Sequence, residues 1–229
     1  MNKNIFIKHH LGLGDAIVHN GMVRKIYEDK KCNITIASKF HNFDNVKFMY
    51  RDNPNIKVIG VNDDYEMNQH LSKNKYDEII SSHFDTGNLN YNVFFDDAFY
   101  NLVGIDPKIK RDYFYIERDS KKENEVYDEL IIKNNITDYI LIHEKPNENI
   151  VIDRNKIRDD LPIVFVDPKY KIFDLLKVIE NATECHLISS SFLSLFTCKK
   201  YNEKVFAHMY PDRVELANYI FENNIQIYT

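Results

Sequence analysis

The stretch His9-His10-Leu11-Gly12-Leu13-Gly14-Asp15 decides how this sequence folds. It follows a short apolar run, residues 5–7, that is typical of a buried strand. Apolar residues then recur at helical spacing from residue 15 onward, so the two glycines lie at a strand-to-helix turn. In α/β proteins such a turn opens onto the crevice where ligands bind, and Gly12 and Gly14 would let a ligand approach the backbone closely.

The rest of the chain repeats this alternation of strand and helix. We predict strands at residues 4–9, 33–38, 56–61, 76–81, 113–116, 139–143, 163–166, 184–188, 204–208 and 225–228. We predict helices at residues 15–29, 45–51, 65–73, 93–102, 123–134, 172–181, 190–200 and 211–222. This order favours an α/β fold with right-handed crossovers and parallel sheets. A boundary near Arg118 divides the chain into two Rossmann-like domains, 1–117 and 118–229, that we expect to face each other across a cleft.

Composition excludes several classes of protein. The net charge of −5, with acidic and basic residues interspersed, provides no basic surface for nucleic acid. No apolar run is long enough to span a bilayer and no signal peptide is evident, so we expect a cytoplasmic protein. The three cysteines, Cys32, Cys185 and Cys198, are widely spaced and form no CxxC motif, which argues against a disulfide framework and a structural zinc site.

Asp15 is the first candidate for chemistry. A carboxylate at the mouth of the helix, with His10 beside it, could accept a proton from an attacking hydroxyl group. Such general-base help is typically worth roughly 10²–10⁴ in rate. The alternative is that Asp15 only caps the helix while the glycines shape the turn. His9 is predicted to complete the strand, which leaves His10 as the better partner.

His83 and Asp85 follow the fourth strand and should reach the same edge of the first sheet. There they could hold the acceptor of a transfer reaction. The alternative is an ordinary polar loop.

In the second half, Ser189, Ser190 and Ser191 lie between a strand and a helix. Hydroxyl groups and free N–H groups at a helix start form an anion site that suits a diphosphate. Because serine is also a common N-cap residue, capping alone is the alternative interpretation.

Three further side chains follow strands of the same half: His143, Lys145 and Arg154. The carboxyl ends of parallel strands meet at one edge, so Lys145 and Arg154 could clamp a nucleotide diphosphate and stabilise it as a leaving group. The alternative is a surface ion pair with Glu144 or Asp153.

Other motifs are missing from the sequence. The third glycine of GxGxxG is replaced by Ile17, and there is no P-loop, GxSxG elbow, HExxH or Asp-x-Asp triplet. We therefore predict chemistry without a metal ion or cofactor.

The turn 11–15 followed by Asn20-Gly21-Met22-Val23-Arg24 resembles the N-terminal signature of the heptosyltransferase-like glycosyltransferases. The resemblance implies the GT-B fold and makes Asp15 the catalytic base. Residues 179–195 look like the segment where that family binds the donor nucleotide. The family usually carries Asp-Thr-Gly and then His there, whereas this chain has three serines and Leu193-Ser194-Leu195.

The sequence thus predicts a metal-independent glycosyltransferase. The C-terminal domain would hold a nucleoside diphosphate-sugar donor, and the N-terminal domain a glycan or other hydroxyl acceptor. Two alternatives stay open: a sugar- or nucleotide-binding module without activity, and a nucleotide-sugar epimerase or hydrolase. The sequence does not determine the oligomeric state, the base or the sugar.

Overall fold

The computed structural model describes residues 2–84, 95–199, 204–209 and 225–228. The chain divides into two units, one of Met1–Glu117 with Thr197–Lys199 and one of Arg118–Phe196 with Lys200–Thr229. The predicted helix at 211–222 and the start of the helix predicted at 93–102 lie outside the described residues.

The first unit is built on a four-stranded parallel sheet with the strand order β3-β2-β1-β4. Its strands are β1 (Asn4–Lys8), β2 (Asn33–Lys39), β3 (Ile56–Val61) and β4 (Glu78–Ser81). Its helices are α1 (Leu13–Lys30), α2 (Phe43–Met49), α3 (Asp64–Lys73), α4 (Phe95–Leu102) and α5 (Ile109–Asp112). The order places β1 inside the sheet, so the turn that follows β1 lies in the middle of the carboxyl edge.

Apolar residues cover both faces of the central strand. Ile5, Phe6 and Ile7 are completely buried although successive strand residues point to opposite faces, which is the pattern of a parallel sheet covered by helices. Phe6 packs with a cluster that includes Leu11 and Met67 of α3. The β1-to-α1 turn is therefore anchored in the core by Leu11.

The second unit contains a five-stranded parallel sheet with the order β6-β5-β7-β8-β9. Its strands are β5 (Ile140–His143), β6 (Ile163–Phe165), β7 (Glu184–Ile188), β8 (Lys204–His208) and β9 (Ile225–Tyr228). Its helices among the described residues are α6 (Ser120–Leu130), α7 (Leu176–Glu180) and α8 (Ser191–Cys198), and the end of α8 belongs to the first unit. The α/β class and the parallel sheets predicted from the sequence are thus confirmed.

The connection from β5 to β6 replaces a helix with two short 3₁₀ turns, Pro146–Glu148 and Arg154–Lys156. Lys145 and Ile150 close the first of them through a pair of backbone hydrogen bonds. Ile152 and Ile157 then pack on Ile140, Ile142 and Ile188 of the sheet. This connection is compact because its apolar residues, rather than a helix, cover that part of the sheet.

The strand predicted at 113–116 is wrong. These residues follow α5 and pair with no described strand. Side chains of α1 satisfy their backbone instead: Tyr115 N donates to Asn20 Oδ1 at 3.0 Å, and Arg24 Nε donates to Tyr115 O at 3.0 Å. This run of four aromatic and apolar residues is therefore a segment bound to a helix and no strand of the described sheets.

The return of Thr197–Lys199 to the first unit was not predicted. Thr197 Oγ1 donates to Asp96 Oδ2 at 2.8 Å, and Arg111 Nε donates to Thr197 O at 3.1 Å. Cys198 is buried, with its Sγ 3.7 Å from Ile17 O. Among the described residues, no helix combines the length and the apolar character needed to cross a membrane.

Candidate functional site

The turn between β1 and α1 places Asp15 inside the helix. Gly12 is the N-cap residue, with an extended backbone and no hydrogen bond from a capping side chain, and Asp15 belongs to the first turn. The interpretation of Asp15 as the N-cap is therefore wrong. A negative charge in the first turn is still favourable for the helix, because the free N–H groups and the macrodipole attract it.

The Asp15 carboxylate lies back over the turn. A Cβ atom added at Gly12 would collide with Asp15 Oδ2, so the missing side chain of Gly12 makes room for the carboxylate. Asp15 is partly buried. A carboxylate in this position can meet a ligand at the sheet edge while its helix holds it in place.

His9 and His10 occupy different environments at the end of β1. His9 is buried, its Nδ1 donates to His10 O, and burial lowers its pKa to about 4. His10 is partly buried, and burial lowers its pKa as well. Lowered pKa values leave both rings neutral at pH 7. The partly buried His10 ring is accessible to accept a proton, whereas the buried His9 ring packs in the core.

The end of β4 meets the same edge of the sheet. The ring of His83 stacks on the ring of His10, with centroids 4.2 Å apart, and His83 Nε2 lies 3.6 Å from Asp64 Oδ1. Burial lowers the pKa of His83, while the Asp64 and Asp15 carboxylates act in the opposite direction. The structure thus brings His10 and His83 together, whereas Asp85 lies outside the described residues.

Asp64 also lies at this candidate site, although it was not predicted from the sequence. It is the first residue of α3, directly after the capping residue Asp63, whose side chain accepts from Glu66 N. The pair of aspartates after an apolar strand carried the same signal as Asp15. A helix that begins at the carboxyl edge delivers its first residues to that edge.

In the second unit, His143 and Ser190 come together. His143 ends β5, its Nδ1 lies 3.1 Å from Ser190 Oγ, and its ring stacks on Phe192 at 4.2 Å. Burial, followed by the charge of Lys145, lowers the pKa of His143 to about 4. His143 and Ser190 therefore share a hydrogen bond in which the neutral imidazole donates or accepts according to its tautomer.

Ser190 also caps α8. Phe192 N donates to Ser190 Oγ at 3.3 Å, so the capping interpretation holds for this serine. Ser189 lies in the preceding turn and Ser191 is the first residue of α8, and both are partly buried. All three serines therefore lie at the start of α8, and Ser190 accepts a hydrogen bond from one of the free N–H groups of the helix.

Lys145 and Arg154 both form ion pairs. Lys145 Nζ lies 3.0 Å from Glu148 Oε1, and Arg154 Nη2 lies 2.7 Å from Glu144 Oε1. Glu144 Oε2 accepts from Ile152 N at 3.0 Å, so this nearly buried carboxylate ties Arg154 to the β5-to-β6 connection. The Arg154 side chain is nevertheless 44% exposed, and an anion can reach its guanidinium.

His208 was not singled out from the sequence. It ends β8, level with the last residue of β7, and its Nε2 lies 2.9 Å from His186 Nδ1. Burial lowers its pKa to about 4. A histidine that ends an apolar strand, as His143 does, was the signal that could have identified it. In the described part of the chain, no three His, Cys, Asp or Glu side chains are placed to hold a metal ion.

Comparison with solved structures identifies similar folds. The glycosyl transferase family 9 protein of Veillonella parvula superposes with a TM-score of 0.63 at 11% identity, over 99% of this chain and 86% of that one. The ADP-heptose lipopolysaccharide heptosyltransferase II of E. coli superposes with a TM-score of 0.60 at 6% sequence identity, over 99% of this chain and 90% of that one. The iron-containing dodecameric glycosyltransferase TibC of enterotoxigenic E. coli superposes with a TM-score of 0.56 at 10% sequence identity, over 90% of this chain and 60% of that one.

Comparison of the sequence found no matching protein-family model and no matching curated protein. At sequence identities of 6–11% the superpositions establish similarity of fold and nothing further. Two parallel α/β sheets in one chain, matched over nearly its whole length, give this protein the fold of the GT-B, heptosyltransferase-like glycosyltransferases.

Proposed function

We propose that this chain is a glycosyltransferase that moves a sugar from a nucleoside diphosphate-sugar to a hydroxyl acceptor. The observation that carries the proposal is the Asp15 carboxylate, which lies over Gly12 in the first turn of α1 at the carboxyl edge of the first sheet. The fold similarity to a heptosyltransferase supports the reaction class.

In the proposed reaction, the acceptor oxygen attacks the anomeric carbon of the donor sugar. The bond between that carbon and the diphosphate oxygen breaks, and its electron pair leaves with the nucleoside diphosphate. Asp15 takes the proton of the acceptor hydroxyl, with His10 and His83 nearby to bind the acceptor or pass the proton on. Residues 1–117 would hold the acceptor.

Residues 118–229 would hold the donor. Arg154 and Lys145 would offset the charge that develops on the leaving diphosphate, and the serines at the start of α8 would bind its oxygens. This role requires Arg154 to share its guanidinium between Glu144 and the ligand, which the planar, five-donor group can do. Because side-chain charges stabilise the leaving group, we propose that transfer needs no metal ion.

The Asp15→Asn variant tests the base. We expect it to bind the nucleoside diphosphate identified by the screen described below as tightly as the unchanged chain does, in a calorimetric titration, and to lose transfer by roughly 10²–10⁴-fold, because the amide cannot accept the proton. The matched control is Asp44→Asn, which removes an exposed carboxylate from the first turn of α2 and should keep full activity.

The donor is found first, by a thermal-shift screen of nucleoside diphosphates followed by donor hydrolysis and transfer assays in the presence and absence of EDTA. Full transfer by the Asp15→Asn variant would refute the assignment of the base. Nucleotide binding without any turnover would identify a binding module instead. A rearranged donor sugar among the products would identify an epimerase.

A further inference from the structure

We propose that His19 and Ser82 are positioning residues that hold the first turn of α1, and with it Asp15, against the end of β4. The pair acts on the backbone of Asp15 and touches no substrate. This inference rests on the proposed function, because it explains how the carboxylate of a catalytic base would be kept in place.

The geometry of the pair determines which atoms carry hydrogen. His19 is completely buried, with Nδ1 2.6 Å from Asp15 O and Nε2 2.7 Å from Ser82 Oγ. A carbonyl oxygen can only accept, so Nδ1 carries the proton. Burial lowers the pKa of His19 well below its usual value, so the ring is neutral and Nε2 accepts from the Ser82 hydroxyl.

Ser82 connects this hydrogen bond to the sheet. It is completely buried directly after β4, and its backbone N donates to Lys8 O of β1 at 2.9 Å. The chain of bonds therefore joins β4, β1 and α1 at the carboxyl edge. The N-cap Gly12 has no side chain with which to cap α1, and the His19 imidazole ties the first turn of α1 to the sheet through Ser82.

A second imidazole holds the other side of the turn. The ring of His9 stacks on the ring of His19, with centroids 4.9 Å apart, and His9 Nδ1 donates to His10 O. The peptide groups of His10 and Asp15 are thus each bound by a buried imidazole. The two residues proposed for proton transfer lie at the two ends of a turn that is fixed from within the core.

A structural role alone would be served equally by other bonds to α1. Tyr100 OH donates to Val18 O at 2.7 Å and accepts from Met22 N at 3.1 Å, so it ties the same helix to the core in the following turns. Tyr100 binds the peptides of Val18 and Met22, whereas His19, held by Ser82, binds the carbonyl of Asp15. Small displacements of a reacting group reduce rates steeply, which makes that peptide the one whose position matters.

The experiment compares Ser82→Ala with Tyr100→Phe, because each removes one buried hydroxyl group. The Ser82 hydroxyl binds the His19 ring, and the Tyr100 hydroxyl binds the backbone of α1 directly. We expect both variants to melt at a lower temperature. Ser82→Ala should lower kcat by roughly 10- to 100-fold with the donor KM unchanged, whereas Tyr100→Phe should keep kcat. Ser82→Ala should also shift the 13C resonance of the Asp15 carboxyl group.

Two readouts do not depend on activity. In the unchanged chain, long-range 1H–15N spectra of histidine should find His19 with its proton on Nδ1, and the Nε2–H tautomer would overturn the proposal. An Asp15 carboxyl resonance that moves no more in Ser82→Ala than in Tyr100→Phe would overturn it too, as would equal loss of kcat in the two variants. Full activity of Asp15→Asn, with the predicted spectra, would refute the proposed base and leave the tether in place.

Discussion

At the scale of single residues, Gly12 matters for the side chain that lies over it. Its backbone angles, φ −69° and ψ 149°, are open to any amino acid, so no left-handed conformation requires a glycine there. The reason is the Asp15 carboxylate, which occupies the space that a Cβ atom would need. Gly12 therefore acts on the position of Asp15.

We predict that Gly12→Ala displaces the Asp15 carboxylate and leaves the fold intact. Transfer should fall by at least about tenfold, because a misplaced base aligns poorly with the acceptor hydroxyl. The free energy of unfolding should change by less than about 1 kcal/mol, since the collision is with the end of a flexible side chain and alanine restricts the unfolded chain. Kinetics and urea unfolding of one preparation measure both quantities.

The informative control for Gly12→Ala is Asp15→Asn combined with it. The double variant should be no slower than Asp15→Asn alone if Gly12 acts only through the carboxylate. An additive loss of activity would contradict this account.

At the scale of elements, Gly21 lets α1 and α5 approach each other closely. A Cβ atom at this buried position would lie 2.7 Å from Lys110 O and 3.0 Å from Ile109 O, both backbone atoms of α5. Lys110 in turn holds α5 to α4, with Nζ 3.3 Å from Asp96 Oδ2. Backbone atoms tied in this way cannot give way to an added methyl group.

The Gly21→Ala substitution should destabilise the first unit. Alanine in the middle of a helix is normally worth about 1 kcal/mol more than glycine, but forced overpacking costs typically about 1–3 kcal/mol. We expect the packing cost to exceed the gain, so that the midpoint of urea unfolding falls. A raised midpoint would mean that α5 can move away from α1.

At the scale of the whole molecule, buried neutral histidines are found in both units. His9 in the first unit, and His143 and His208 in the second, have pKa values lowered to about 4, in each case mainly by burial. In the unfolded chain a histidine has a pKa near 6.5. Between these two values the unfolded state binds more protons than the folded state, so stability falls as the pH decreases.

We predict that the chain loses stability steeply between pH 6.5 and pH 4. Each such histidine contributes about 1.4 kcal/mol per pH unit in that window, and nothing above it, where both states are neutral. Urea unfolding at several pH values measures the slope. His9→Asn should reduce the slope by about one histidine's share, whereas His41→Asn, which replaces an exposed histidine, should leave it unchanged. An equal slope for His9→Asn and the unchanged chain would contradict the prediction.

The amino-acid sequence by itself determined the α/β class, the parallel sheets, most strands and the placing of Asp15 at the end of β1. These features depend on the local periodicity of apolar residues and on turn residues, and both can be recognised from a short stretch of sequence. The resemblance in residues 11–24 pointed to the fold that the superpositions later matched. Helix ends and the irregular β5-to-β6 connection were less predictable, because packing on the sheet decides them.

Only the tertiary structure decided which polar groups meet. Asp64 reaches His83, Ser82 reaches His19, and Glu144 binds Arg154 through contacts between separate elements. Residues 113–116 were predicted as a strand, yet Asn20 and Arg24 of α1 bind their backbone. Periodicity reports that a residue is buried or extended, but the partner that satisfies its hydrogen bonds is set by how distant segments fold together.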